Sequence, residues 1–391
     1  MTKVLIITNY YPPESGAASN RIHHLASGLF KNEYQVEVLT PLPNYPRGEI
    51  FEGFRGKFHS KAVEDGVTVH RLWIYASNSK NKILRLIAML SYSFSLLWFI
   101  LFHAIPKVVI IQSPPLLVAF TALQALRFGK RTRILNVSDL WPIAGRELGA
   151  LKEGLGYSML ERIERSNYSN ADLVLGQSQE ILDHVSGLFP KKQTKLYRNY
   201  PEIAPPESQF HNQSGVIKVV YAGLLGVAQG IHKLCQNLNY SNIELHLYGN
   251  GAERKAIEEF IATNPDAPVF YHGELTRQEL HAELNSYDLA IIPLLNRIYG
   301  SVPSKIFEFS KLGLPLLYFG GGEGEKIITD NKLGWVAEAG NYNALNEVIS
   351  SLKPEELNVD ARKRIMTTAK NNFDFQAQLS DLISTLKQML Q

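Results

Sequence analysis

Short apolar runs alternate along this chain with stretches in which apolar residues recur at helical spacing. Ile22, Leu25, Ala26 and Leu29 fall on one face of a helix predicted over residues 19–31. The apolar runs lack polar alternation, which is typical of strands buried on both faces of a parallel sheet. Such strands are predicted at 4–8, 36–40, 108–112, 133–137, 173–176, 216–221, 244–248, 269–272, 289–292, 314–319 and 334–336, with further helices at 253–262 and 305–312.

A segment rich in proline, serine, asparagine and glutamine interrupts this alternation at residues 199–215 and is the best linker candidate. The 391 residues suggest two domains, at about 100–200 residues per domain. We therefore expect an α/β protein with two doubly wound, Rossmann-like domains, residues 1–198 before the linker and 216–370 after it. Ligands bind such sheets at the carboxyl ends of the strands, so we expect the site in a cleft between the facing domains.

Residues 83–105 form a long apolar stretch, with 18 apolar residues out of 23. A transmembrane helix needs about 20 such residues, but predicted strands of one sheet lie on both sides of the stretch, which argues against spanning. The alternatives are a helix packed wholly into the core and a helix lying on a membrane surface, and nearby basic residues favour the second. The predicted membrane contacts are Phe94, Trp98, Phe99, Phe102, Lys80, Lys82 and Arg85.

The formal net charge of +3 conceals an uneven distribution. Residues 1–200 contain 24 Lys and Arg against 15 Asp and Glu, whereas residues 201–391 contain 16 against 22. The basic first half favours an anionic membrane surface as a partner. We expect no nucleic acid partner, and the oligomeric state stays open. The single cysteine, Cys235, excludes an intramolecular disulfide, and the N-terminus is predicted to be a strand, not a signal peptide.

Loops that follow predicted strands carry the glycine, proline and polar residues from which an active site is expected. Five of them read PNYPRG, QSPPL, SDLWP, YAGLLG with QG, and PSKIFE, and they start at Pro43, Gln112, Ser138, Tyr221 and Pro303. In this combination the sequence resembles the family 4 (GT4) retaining glycosyltransferases of the GT-B fold. Within that family it looks like the branch that includes N-acetyl-L-fucosamine transferases of bacterial surface polysaccharide biosynthesis.

The resemblance implies a metal-independent retaining glycosyltransferase without a cofactor. It would move a sugar, such as an N-acetylated amino or deoxyamino sugar, from a UDP-sugar to a polyprenyl-diphosphate-linked acceptor. The C-terminal domain would bind the nucleotide sugar and the N-terminal domain the acceptor, and the final helix, within 371–391, would pack back across the domain junction. We expect a cytoplasmic protein peripherally bound to the inner face of the plasma membrane. The alternatives are a GT-B epimerase or phosphorylase and a non-catalytic membrane- or carbohydrate-binding scaffold.

The resemblance also implies a set of donor-binding residues. Lys305, at the start of a predicted helix, would meet the diphosphate, and Glu308 would accept hydrogen bonds from the ribose hydroxyls. A surface lysine and an ordinary helix ion pair are the structural alternatives for these two. The full donor set is Gly16, Gly223, Gln229, Gly249, Glu274, Leu275, Ser301, Ser304, Lys305 and Glu308.

Three positions of the expected donor site depart from the family pattern. Leu224 and Gln229 stand where the family has the Arg and Lys that clamp the phosphates. Gly300 stands where the first glutamate of the family's Glu-x7-Glu motif would fall, and backbone groups at 299–304 are expected to contact the donor sugar instead. These departures leave the donor sugar open.

In the N-terminal domain, Asp139 is the principal catalytic candidate, either to orient the acceptor hydroxyl or to accept its proton. Gly16, in the N-terminal diphosphate loop, joins it as the other catalytic position. Ser138 stands where many family members have histidine, and a structural cap is the alternative role for Asp139. The acceptor-binding candidates are Asn44, Tyr45, Arg47 and Trp141, and no metal ligand is expected.

Overall fold

The computed structural model describes residues 1–14, 16–79, 81–203, 215–295 and 298–391, and most of the predicted linker (204–214) lies outside them. The chain divides into two compact units. Unit 1 comprises Met1–Asn199, Tyr299–Ser301 and Phe375–Gln391, and unit 2 comprises Tyr200–Ile298 and Val302–Asp374. Unit 1 therefore takes a short segment and the C-terminal helix from the second half of the sequence.

Unit 1 is a nearly all-parallel sheet covered by helices. Its strands are β1 (Lys3–Ile7), β2 (Gln35–Pro41), β3 (His59–Glu64), β4 (Val67–Leu72), β5 (Val108–Ser113), β6 (Thr132–Val137), β7 (Leu173–Gly176) and β8 (Gln193–Leu196). They lie in the order β3-β4-β2-β1-β5-β6-β7-β8, and only the β3–β4 pair is antiparallel. Its helices before the linker are α1 (Ala17–Lys31), α2 (Lys82–Phe102), α3 (Leu116–Ala125), α4 (Ile143–Glu147), α5 (Leu155–Asn170) and α6 (Gln179–Leu188).

Unit 2 contains a second, entirely parallel sheet. Its strands are β9 (Ile217–Ala222), β10 (Ile243–Tyr248), β11 (Val269–Gly273), β12 (Leu289–Pro293), β13 (Leu316–Phe319) and β14 (Gly334–Ala337). They lie in the order β11-β10-β9-β12-β13-β14. The helices are α7 (Ile231–Asn237), α8 (Arg254–Thr263), α9 (Arg277–Glu283), α10 (Lys305–Lys311), α11 (Glu323–Asp330), α12 (Tyr342–Ser351) and α13 (Val359–Asn372). Separate apolar clusters on the two faces of the sheet form its core.

The C-terminal helix α14 (Phe375–Leu390) belongs to unit 1 and packs on α1. The packing is close, because a β-carbon on Gly28 would come within 2.5 Å of the Leu379 side chain. Polar contacts fix its register: Gln378 accepts a hydrogen bond from the Arg198 backbone N–H (2.7 Å) and donates one to the Arg198 carbonyl oxygen (2.9 Å).

Helix α2 contributes one face to the core of unit 1. Tyr92 and Leu96 are fully buried, and the Tyr92 hydroxyl donates toward the carbonyl oxygens of Thr8 (3.0 Å) and Leu39 (3.2 Å). The other face is exposed, so the alternative of a wholly buried helix is wrong. Ile83–Phe102 is also long and apolar enough to cross a membrane by length and composition alone. Its exposed apolar side chains are Ile83, Leu86, Ile87, Leu90, Phe94, Leu97, Trp98, Leu101 and Phe102.

The membrane contact predicted for Phe99 is wrong, because this side chain is only 5% exposed. Phe99 follows Tyr92 and Leu96 at helical spacing and therefore points toward the sheet. Its ring packs against His70 of β4, with 5.1 Å between ring centroids. Arg85 is exposed as expected, Lys80 lies outside the described residues, and the Lys82 side chain is not described.

Candidate active site

The turn after β1 places Gly16 at the start of α1. Gly16 has φ +145°, a conformation that side chains on Cα disfavour, so glycine is required here. Its carbonyl oxygen accepts the first helical hydrogen bond, from the Asn20 N–H at 3.0 Å. The nearest side-chain atom to a β-carbon on Gly16 would belong to Tyr45, at 4.0 Å. The structure thus brings two predicted site residues together.

A buried carboxylate connects this turn to the loop after β2. Glu14 is 3% exposed, and its Oε1 accepts hydrogen bonds from the backbone N–H groups of Asn44 (2.7 Å) and Tyr45 (2.8 Å). Burial raises the pKa of Glu14, while these two hydrogen bonds oppose the rise. The Tyr45 ring is 45% exposed and meets Tyr10 edge-on, and Arg47 is exposed. The acceptor candidates Tyr45 and Arg47 are therefore accessible. The backbone of their loop is held in place by its hydrogen bonds to Glu14.

Asp139 lies at the carboxyl end of β6 and is half-buried. Burial raises its pKa, and the positive charge of Arg21 lowers it in part. Arg21, on α1, is only 7% exposed and donates a hydrogen bond to Gln177 Oε1. Gln177 in turn donates to the carbonyl oxygen of Ser138 at 2.7 Å. A buried guanidinium and an amide thus support the residue next to Asp139.

Ser138 has a structural role in this arrangement. Its hydroxyl donates to the Ser113 carbonyl oxygen (3.2 Å) and accepts from Gln112 Nε2 (3.0 Å). Asn136 Nδ2 extends this buried network by donating to Gln112 Oε1 at 2.9 Å. Trp141 is half-buried and stands against Gly145, where a β-carbon would come within 2.6 Å of the indole ring.

The segment Tyr299–Ser301 includes the predicted donor residue Ser301. It belongs to unit 1, where the Gly300 N–H donates to Glu180 Oε2 (2.9 Å) and its carbonyl oxygen accepts from Ser178 Oγ (2.7 Å). Gly300 is buried with φ +82°, and a β-carbon would come within 3.0 Å of Leu140 and Ile181. A glutamate at this position would therefore force the neighbouring side chains to shift and would strain the backbone. Ser301 is half-buried in the same unit.

In unit 2, the ends of three strands approach one another through glycines. A β-carbon on Gly249 would stand 1.8 Å from the Gly223 carbonyl oxygen, and Gly249 has φ +128°. The Gly223 N–H donates to Tyr248 O (3.0 Å), and the Gly249 N–H donates to Gly273 O (2.7 Å). Nearby, Gln229 Oε1 is a buried acceptor without a hydrogen-bond partner among the described residues. The turns after β9 and β10 therefore expose backbone at the carboxyl edge of this sheet.

Glu308 is the most heavily paired carboxylate in unit 2. Its side chain is 9% exposed, and Oε2 accepts from Lys305 Nζ at 2.8 Å. Oε1 accepts from Arg277 Nε at 3.2 Å and lies 2.8 Å from His281 Nε2. Burial alone would raise the pKa of Glu308, but His281, Lys305 and Arg277 together hold it well below its ordinary range. The carboxyl group is therefore ionised at neutral pH.

The remaining donor candidates flank this cluster. Ser304 directly precedes α10, and Glu274 is exposed in the loop after β11. Leu275 packs partly against the core and also lines a cavity of about 380 Å³ with His246, Tyr248 and His272. Of the predicted donor residues, only Leu275 borders that cavity.

Sequence reasoning missed five residues that organise these sites. A partial signal existed for Arg21, since it interrupts an otherwise apolar face of α1. The others carried none, because their partners are distant in sequence: Gln177 binds Arg21 across 156 positions, and Arg277 and His281 reach Glu308 across 31 and 27. The missed residues are Glu14, Arg21, Gln177, Arg277 and His281.

The exposed aromatic side chains of unit 1 outside α2 include Phe58, Trp73 and Tyr75. The Tyr75 backbone N–H donates to Ser91 Oγ of α2 at 2.9 Å, and Tyr75 is 41% exposed. Trp73 is 37% exposed, and its ring centroid lies 6.5 Å from that of Phe58, which is 78% exposed. We call these three residues and the exposed side chains of α2 the apolar face of unit 1.

No group of three or more His, Cys, Asp or Glu suited to a metal ion occurs among the described residues of either unit.

Comparison with known proteins identifies the class. A glycosyl transferase 4-like domain matches residues 16–196, and a glycosyl transferases group 1 domain matches residues 215–353. Together these matches cover more than half of the chain, which therefore belongs to the GT4-type glycosyltransferases of the GT-B fold. The comparison with curated proteins gives no match.

Solved structures of this fold resemble the whole chain. Sucrose-phosphate synthase from Thermosynechococcus elongatus has a TM-score of 0.75 at 13% identity, with 100% of this chain and 99% of that one covered. WaaG, a glycosyltransferase involved in lipopolysaccharide biosynthesis, has a TM-score of 0.66 at 14% identity, with coverages of 97% and 98%. Anabaena HepE in complex with UDP-glucose has a TM-score of 0.67 at 13% identity, with coverages of 99% and 100%. The prediction of two Rossmann-like domains of the GT-B fold is confirmed.

Proposed function

We propose that this glycosyltransferase moves a sugar from a UDP-sugar to a polyprenyl-diphosphate-linked acceptor, with retention of configuration and without a resident metal. The observation that carries the proposal is the Lys305–Glu308 pair at the start of α10, a cation beside an ionised, nearly buried carboxylate. A carboxylate suits vicinal ribose hydroxyls, since it only accepts hydrogen bonds, and an ammonium suits a diphosphate. HepE, which shares the fold, was crystallised with UDP-glucose.

Unit 2 would hold the donor and stabilise its leaving group. The glycine turns at Gly223 and Gly249 carry no side chain and would let the diphosphate approach the backbone closely, and Lys305 supplies a positive charge. In the reaction the acceptor oxygen forms a bond to the anomeric carbon while the bond to the diphosphate oxygen breaks. The protein's contribution is then mainly positioning and electrostatic stabilisation.

Unit 1 would orient the acceptor. Asp139 stands at the carboxyl end of β6, and its raised pKa brings it closer to the range in which a carboxylate accepts a proton effectively at neutral pH. The hydroxyl proton of the acceptor would pass to Asp139 or to an oxygen of the departing diphosphate. Tyr45 and Arg47, both accessible, would contact the acceptor sugar and its diphosphate.

The lipid part of the acceptor accounts for the apolar face of unit 1. Its aromatic side chains include Phe58, Trp98 and Phe102, which are 78%, 58% and 64% exposed. A helix with one apolar face outward and basic neighbours suits the surface of an anionic bilayer. We therefore propose that the enzyme works at the cytoplasmic face of the plasma membrane, in bacterial surface polysaccharide biosynthesis.

Transfer is tested by offering radiolabelled UDP-, GDP- and dTDP-sugars with lipid-linked acceptors from bacterial membranes. We expect turnover with at least one UDP-sugar by wild-type protein and a loss of about a hundredfold or more in Asp139→Asn and Lys305→Ala. Asp183→Asn and Lys255→Ala, at exposed positions, are the matched controls. Full activity in both test variants would refute the assignment of the site. Absence of transfer from every donor would contradict the proposal and favour a binding scaffold.

Membrane binding is tested by flotation with vesicles that contain phosphatidylglycerol. The bound fraction should fall with rising salt and in Trp98→Ser, since both charge and apolar contact contribute. Phe270→Ser, a substitution of a 44% exposed aromatic residue in unit 2, should leave it unchanged. Equal flotation of all three proteins would contradict the proposed role of the apolar face.

A further inference from the structure

The cluster around Glu308 holds more positive charge than its carboxylate can neutralise. Lys305 and Arg277 are both cations at neutral pH, and His281 is a third nitrogen partner. A single buried carboxylate is compensated by one cation, so the second leaves a surplus of positive charge. Neither Arg277 nor Lys305 has another carboxylate within 4 Å among the described residues.

The two Nη groups of Arg277 are available to a ligand. Its Nε–H is bound to Glu308, while the described residues include no partner for either Nη group. The side chain is 38% exposed, so these Nη groups can reach a ligand. A guanidinium fixed at Nε presents its two Nη groups as a planar fork, which matches two oxygens of a phosphate.

The two glycine turns after β9 and β10 supply no cation of their own. Residues 222–230, after β9, and 249–252, after β10, contain no charged side chain. Leu224, in the first of these loops, is 63% exposed and apolar. Among the described residues, Lys305 of α10 and Arg277 of α9 are cations that can offer positive charge to a dianionic ligand at this carboxyl edge.

We propose that Arg277 binds the diphosphate of the sugar donor through its two Nη groups, while His281 and Lys305 keep Glu308 in place. This inference rests on the proposed function and adds a specific phosphate-binding residue to it. The ligand class is a nucleoside diphosphate. Besides its proposed role at the ribose hydroxyls, Glu308 positions the guanidinium of Arg277 through its Nε–H.

Calorimetric binding of uridine, UMP and UDP to the full-length protein tests the proposal. We expect Arg277→Gln to weaken UDP binding by about 10- to 100-fold, as for a lost bidentate charged contact, with a smaller effect on UMP and none on uridine. Arg277→Lys keeps the charge but loses the fork, so its affinity for UDP should lie between the two. Arg364→Gln, at an exposed arginine of the same unit, should behave as wild type.

The outcomes separate this inference from the proposed function. If Lys305→Ala weakens UDP binding while Arg277→Gln stays within twofold of wild type, the inference is wrong and the proposed function stands. An equal loss for uridine, UMP and UDP in Arg277→Gln would show a structural role only and would also overturn it. If wild-type protein binds no UDP, the proposed function itself fails. Should Arg277→Gln not fold, Arg277→Lys provides the same comparison.

Discussion

The buried His70 offers a direct test of how packing controls charge in unit 1. It lies on β4 opposite Leu39 of β2 and is only 6% exposed. The His59 ring stacks on it at 5.4 Å, and Phe99 of α2 meets it edge-on. His70 Nδ1 lies 3.2 Å from His59 Nε2, so one of these two nitrogens must be unprotonated.

Burial, followed by the nearby His59 and Lys61, lowers the pKa of His70 from 6.5 to about 4. His103 acts in the same direction, and the only opposing group within 4.0 Å among the described residues is Glu37. In the unfolded chain His70 takes up a proton near pH 6.5, whereas in the folded chain it resists protonation until about pH 4. Acid therefore favours the unfolded state, and stability is lost as the pH falls through this interval.

The size of the stability loss follows from the difference between the pKa of His70 in the unfolded chain and in the folded chain. One pKa unit corresponds to about 1.4 kcal/mol, so the interval corresponds to a loss of about 3 kcal/mol in the free energy of unfolding. At pH 7.5 the contribution is absent, because His70 is neutral in both states. The non-titrating variant His70→Gln should therefore lose less stability on acidification than wild type does.

Urea unfolding of the full chain at pH 7.5 and 4.5 measures this difference. Tryptophan fluorescence reports mainly on unit 1, which contains Trp73, Trp98 and Trp141, while Trp335 lies in unit 2. His232→Gln, in unit 2, should show the acid sensitivity of wild type. Equal acid losses in wild type and His70→Gln, or a pKa near 6 for His70 by NMR titration, would refute the reasoning.

Three further substitutions test packing. Gly249→Ala should destabilise unit 2 by more than about 2 kcal/mol in urea unfolding, because the new β-carbon collides with the Gly223 carbonyl oxygen and φ is positive. The control is Gly187→Ala, because a β-carbon at this position on α6 meets open space. Glu14→Gln should speed hydrogen exchange of the Asn44 and Tyr45 backbone amides and lower the free energy of unfolding by about 1–2 kcal/mol. Unchanged exchange would contradict the role of Glu14 in holding this loop. Tyr92→Phe should lower the free energy of unfolding by about 1–2 kcal/mol, since the carbonyl oxygens of Thr8 and Leu39 lose their hydrogen-bond donor. An unchanged free energy of unfolding would mean that water replaces the Tyr92 hydroxyl.

Most of the two parallel sheets was predictable because their strands are short, continuous apolar runs. Three strands were missed, β3, β4 and β8, and they differ in pattern: β4 has Thr68, His70 and Arg71 among its apolar residues. β3 is an edge strand with exposed and half-buried residues in alternation, and β8 has the sequence QTKL, with a single large apolar residue. Edge position at β3 and β8, and polar residues within the run at β4, remove the signal on which the prediction depends.

The faces of α2 and the polar partners in the sites were beyond sequence reasoning for different reasons. In α2 apolar residues occur on all sides, so periodicity cannot show that Phe99 is buried while Trp98 is exposed. Lys305 and Glu308 were found because they stand in one loop-to-helix motif. Arg277 was missed because only the tertiary structure brings α9 beside α10.

Helix α14 has a consequence for the order in which the protein is made. A chain emerging from the ribosome ordinarily completes its first domain before the second is synthesised. Here the α1 surface at Gly28 stays uncovered until Phe375 and Leu379 arrive, after the whole of unit 2 has been translated. A premature stop that removes only the final helix should therefore damage the first unit and leave the second intact.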